Sequence, residues 1–86
     1  MIPPAVLTRL REHAELRMIE VGLSPREIDI ARLFLRGFTQ RETASYAGVS
    51  EKTVISHSIN IYRKCGIHSR SQLFTFFFPV YAEPGA

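Results

Sequence analysis

The sequence predicts an all-α protein, and three observations carry the prediction. Serine or threonine followed three residues later by glutamate or glutamine recurs along the chain, apolar residues return at spacings of three and four, and glycine closes one run after another. Almost nothing reads as a strand. Pro3 and Pro4 precede a first helix over Ala5 to Val21, with Leu7, Leu10, Ala14 and Val21 near one face, Met18 beside them, Arg11 and Glu15 as an i, i+4 pair, and Gly22 as its stop. Ser24-Pro25-Arg26-Glu27 combines a capping hydroxyl, proline at the first helical position and glutamate at the third, opening a helix that runs to Arg36 before Gly37. Thr39 and Glu42 open a short helix ending near Ala47 and Gly48; Ser50 caps another from Glu51 to about Cys65, with Gly66 as its stop. Ser69 with Gln72 opens a last helix that Pro79 terminates.

Eighty-six residues suffice for one small domain and leave no room for a second catalytic one. With 45% apolar and 22% charged residues the composition is that of an ordinary folded chain. The lone Cys65 forms no internal disulfide and belongs to no zinc pattern, which points to a reducing compartment, the cytoplasm. The charged N-terminal stretch lacks a signal-peptide core, and the apolar run from Leu73 to Ala82 is too short to span a membrane. No two acids or histidines stand at a spacing that suggests a catalytic pair or metal site, and no glycine-rich phosphate loop is present, so the reading is a non-enzyme without cofactor or metal.

A short helix from Gln40 to Ala47, a tight Gly48-Val49-Ser50 turn and a longer helix beginning at Glu51 make a helix-turn-helix arrangement, against which stands a generic helical hairpin. Charge bears on the choice. Of the formal net charge of +3, the excess gathers in residues 51–70, where Lys52, Arg63, Lys64 and Arg70 face only Glu51. Winding residues 51–65 at 3.6 residues per turn gathers Val54, Ser58, Ile61 and Cys65 on a buried side and Lys52, Ser56, Ile59 and Arg63 on the opposite one. That row suits a major groove: cations for phosphate or guanine edges, serine for close approach, an apolar group against a thymine methyl. Asn60 flanks the row, and Thr53 with the first amides of the helix lies where a phosphate is held by the positive end of the dipole.

From Leu23 to about Phe74, through the stretches LSPREIDIARLFLRGFTQRETA and GVSEKTVISHSINIYRKCGIHSRSQL, the chain resembles the C-terminal helix-turn-helix domain of LuxR/FixJ-type bacterial transcription regulators. The resemblance implies a four-helix unit that binds double-stranded DNA, with residues 51–65 in the major groove and the last helix pairing with its copy in a dimer. Carried over by position, Lys52, Thr53, Ser56, Ile59 and Lys64 are expected at or near DNA, and Arg41 at a backbone phosphate. The expected organisation is an N-terminal helix over 1–22, the helix-turn-helix domain over 23–78 and a tail over 79–86. The sequence departs from the family at Ile55, where a lysine usually stands, at Ile59, where a polar residue is common, and at Thr43 and Cys65, where isoleucine and leucine are favoured. The two isoleucines admit a thymine-rich site, weaker binding, or a helix face covered by protein.

Among the remaining residues, His57 is read as a packing or hydrogen-bonding residue, with direct phosphate contact as the alternative, His13 and His68 as solvated, Cys65 as a small core residue, and Arg70 as the partner of Glu27 or another acid. Phe74, Phe76, Phe77 and Phe78 crowd four rings into five positions; together with Leu73 they form the expected dimer surface, coverable instead by the N-terminal helix. The leading expectation is therefore a sequence-specific, dimeric DNA-binding transcription regulator. The alternative is an adaptor or anti-activator that keeps the fold but holds another regulator; a sigma-factor promoter-recognition domain stands third. RNA polymerase is a further conceivable partner.

Overall fold

Ser24 and Thr39 each form a reciprocal cap. The Ser24 hydroxyl accepts the Glu27 amide at 3.2 Å while the Glu27 carboxylate accepts the Ser24 amide at 2.8 Å. Thr39 and Glu42 repeat the exchange at 3.0 and 2.9 Å. Each cap satisfies two amides that a helix start otherwise leaves without acceptors, worth about 1 kcal/mol. In this computed structural model, which describes residues 3–79, the described chain forms five helices: α1 (Pro4–Glu20), α2 (Pro25–Leu35), α3 (Gln40–Ala47), α4 (Glu51–Cys65) and α5 (Ser71–Phe77). All five fall where the sequence places them, and no strand occurs among the described residues. Of the predicted 79–86 tail, only Pro79 is among them.

One cap differs from expectation. The Ser69 hydroxyl pairs with that of Ser71 rather than with the helix start, and α5 begins after Arg70, whose backbone is already helical. The Gln72 side chain instead accepts the amide of His68 at 2.7 Å, closing the turn before the helix.

Two glycines set the angle of α4. Gly48 and Gly66 adopt the left-handed conformation at φ 71° and 69°. Beyond them Val49 donates to the Ala44 carbonyl and Ile67 to the Tyr62 carbonyl, so the chain reverses within a few residues at each end of α4.

α4 packs on α2 and α3, and α1 packs on α5. Ile30, Ala31 and Phe34 of α2 meet Ala44 of α3 and Val54, Ile61 and Cys65 of α4, while Ala14 and Met18 of α1 close the cluster over Leu73 and Phe77. Leu73 and Phe77, expected in a dimer interface, are therefore corrected to core residues, 1% and 0% exposed within the single chain. Their cover is α1. Phe76 is half-buried, edge-to-face against Phe77 and under the Arg17 guanidinium at 4.4 Å. Phe74 stays exposed beside Phe78, their centroids 5.0 Å apart.

Long-range polar ties add to this packing. Glu15 engages Arg32 of α2 through both carboxylate oxygens, rather than the predicted partner Arg11. Arg32 presents Nε and Nη2 to the two oxygens as a fork, the two-point geometry that makes a charged hydrogen bond strong. Arg70 donates to the Phe34 carbonyl at 3.0 Å and stacks on its ring at 4.2 Å; among the described residues it makes no close ion pair with Glu27, and the acid that feels its charge is Glu42.

Candidate nucleic-acid interface

α4 is amphipathic in the sense the sequence predicts. Val54, Ser58, Ile61 and Cys65 are buried, and the Ser58 hydroxyl donates back to the Ile55 carbonyl at 2.7 Å, so its polar group is satisfied within α4 itself. Burial pushes the Cys65 thiol up from its ordinary range and keeps it protonated. On the other side Lys52, Ile55, Ser56, Ile59 and Arg63 are exposed, with Asn60 at the edge accepting a long hydrogen bond from Arg63 at 3.4 Å.

The N-terminus of α4 is tied down by Ser50, whose hydroxyl accepts the Thr53 amide at 3.1 Å and lies 3.0 Å from the Thr53 hydroxyl. Thr53 is thereby half-buried in the cap, while the Glu51 and Lys52 amides keep no intrahelical acceptor. They face the direction in which an anion is held by a helix start. Arg41, in the first turn of α3, is exposed. His57 is half-buried at the edge of α4, and His13 and His68 are exposed.

Lys64 departs from expectation. Its ammonium donates to the Glu27 carboxylate at 2.7 Å and to the Gly22 carbonyl at 3.0 Å. The side chain is drawn to α2 and away from the outward row, because a carboxylate that is 5% exposed needs a cation within reach. Burial raises the Glu27 carboxyl, but the Lys64 ammonium and the Ser24 amide outweigh it and hold the group below its ordinary 4.5.

Tyr46 is a surface residue that the sequence pattern alone did not single out. It stands 73% exposed on α3, edge-to-face on Phe38 with centroids 5.8 Å apart. A helical wheel of α3 gives the signal, since Thr43, Ala44 and Ala47 turn inward and Tyr46 does not. A cleft of about 730 Å³, bordered by Met18, Leu33, Arg11, Arg32, Arg36 and Phe74 among others, includes no residue of α4 and so is separate from the outward row. Among the described residues no group of three His, Cys, Asp or Glu could hold a metal ion, and no helix is long and apolar enough to cross a membrane.

Residues 21–77 match the family described as bacterial regulatory proteins, luxR family. The chain belongs to the luxR family. Its similarity to the Fimbriae Z protein of Escherichia coli (strain K12) is 41% identity over 54 residues, covering 63% of this chain and 26% of that protein. Similarity to the transcriptional regulatory protein YdfI of Bacillus subtilis (strain 168) is 33% identity over 79 residues, covering 87% of this chain and 37% of the relative. This luxR-family chain thus spans between a quarter and two fifths of the length of these two relatives. The family match runs from the end of α1 through α5, so the helix pair α3–α4 with its Gly48 turn is its centre.

Proposed function

We propose that the chain is the sequence-specific DNA-binding part of a transcription regulator, with α4 lying in the major groove of double-stranded DNA. The observation that carries this reading is the division of α4: one side is sealed into the core, and the other keeps Lys52, Ser56, Ile59 and Arg63 outward. The roles divide by chemistry. Lys52, Arg41 and the amides of Glu51 and Lys52 hold phosphates; Ser56, Asn60 and Arg63 address base edges, with Ile55 and Ile59 between them. Thr53 sets the cap that aims these groups, and Lys64 fixes the far end of the helix to α2. The protein performs no chemistry on the nucleic acid in this reading, and it acts in the cytoplasm.

Two copies on half-sites one DNA turn apart, about 34 Å, turn two modest contacts into useful affinity. With Leu73 and Phe77 inside the chain, the aromatic surface left for such pairing is Phe74 with the outer parts of Phe76 and, just past α5, Phe78.

The two isoleucines on the outward row favour a second reading, an adaptor that holds another regulator. Fluorescence anisotropy against promoter-length duplexes at two salt concentrations separates the two. A DNA reader binds with an affinity that falls steeply with salt, reflecting several phosphate contacts. An adaptor shows no salt-sensitive binding at micromolar protein and captures a regulator instead.

A further inference from the structure

Ile55 and Ile59 are 42% and 60% exposed, so the chain's own core covers neither. They stand one helical turn apart on the side of α4 that also carries Lys52, Ser56 and Arg63. Four residues advance the helix by about 6 Å. One base-pair step of B-DNA advances about 3.4 Å.

We propose that Ile55 and Ile59 read the C5-methyl groups of two thymines lying one or two base steps apart in each half-site, so that the operator is selected by methyl contacts at its centre and by cationic contacts at its edges. The proposal rests on the DNA-binding reading above and specifies the ligand of that surface. A branched hydrocarbon side chain offers no hydrogen bond to guanine, cytosine or adenine edges, and the thymine methyl is the one apolar group that the major groove presents. Ser56, beside the two isoleucines on the exposed side, is small enough to let the helix approach until those methyl groups touch.

The surroundings favour a polyanion over a protein as the occupant. Lys52 and Arg63 flank the isoleucines along α4, Arg41 is exposed on α3, and on α4 the single acid is Glu51 at the first position. Two isolated isoleucines also fall far short of the roughly 800 Å² that each partner buries in a stable protein–protein interface.

The test uses duplexes selected from a randomised library by the full chain, followed by replacement of each thymine in turn with deoxyuridine, which removes only the C5-methyl group. The expected result is loss of about fourfold in affinity at each of two thymine positions one or two steps apart. Ile55→Ala removes this dependence at one position and Ile59→Ala at the other; both substitutions lie on the exposed side, and far-UV circular dichroism checks the fold. Salt-sensitive DNA binding with a flat response to deoxyuridine, or selected sites with no thymine in reach, overturns the methyl reading and leaves the DNA-binding reading standing. Absence of salt-sensitive binding to any duplex overturns both, and protection of Ile55 and Ile59 by a second protein then identifies the adaptor.

Discussion

The Lys64 ammonium donates to the Glu27 carboxylate at 2.7 Å, joining the last turn of α4 to the first turn of α2. One cation of the basic helix therefore serves the fold. Lys64→Met, which keeps the apolar stem, should lower unfolding free energy by about 2 kcal/mol, since it strips a buried carboxylate of a charged hydrogen bond. Lys52→Ala should change stability by no more than about 0.5 kcal/mol yet reduce the salt slope of DNA binding by about one phosphate contact. Urea melts and anisotropy titrations on the two variants measure both quantities. A Lys64 variant that keeps full stability and loses salt slope would return that residue to the DNA surface.

Acid should destabilise the protein through three glutamates. The Arg32 guanidinium holds Glu15 below its ordinary 4.5, the Lys64 ammonium and Ser24 amide do the same for Glu27 against the effect of burial, and the Thr39 amide lowers Glu42. A carboxylate with a lowered folded-state pKa contributes stability that is complete above its unfolded value and disappears as pH falls through the folded one. The urea midpoint should therefore be nearly level from neutral pH to about pH 5.5 and fall below about pH 4. Glu27→Gln, already destabilised at pH 7, should show a shallower decline. Equal slopes in wild type and variant would remove Glu27 from this account.

Thr43 is fully buried in α3, and its hydroxyl has no hydrogen-bond partner among the described residues. Thr43→Val keeps the shape and removes an unsatisfied polar group, so it should stabilise the domain by about 1 kcal/mol. Thermal or urea unfolding checks the sign; a loss of stability would mean that the hydroxyl is satisfied in solution.

The helices and the buried side of α4 were legible in the sequence because both are local. Ser24–Glu27, Thr39–Glu42, Ser50, Gly48 and Gly66 declare where helices start and stop, and a period of 3.6 separates Val54, Ser58, Ile61 and Cys65 from Lys52, Ser56, Ile59 and Arg63. Contacts made across the fold were not. Lys64 reaches Glu27, 37 positions away, and Arg32 reaches Glu15, 17 away. How α5 divides its aromatic residues depends on where α1 lands: Phe77 goes inside, Phe76 beneath Arg17, and Phe74 outward. Wheel positions within α5 alone do not fix that division. The residues that the luxR-family resemblance carried over divide in the fold: Lys52, Ser56 and Ile59 are exposed on α4, whereas Lys64 turns to Glu27 and Thr53 is half-buried in the cap.

Amide chemical-shift mapping by NMR on titration with a selected duplex shows whether the outward side of α4 contacts DNA. The largest shifts are expected at Lys52, Ile55, Ser56, Ile59 and Arg63, with smaller ones around Arg41 and little change along the first half of α1. Shifts confined to the cleft lined by α1, α2, the end of α3 and α5, with α4 unaffected, would contradict that contact.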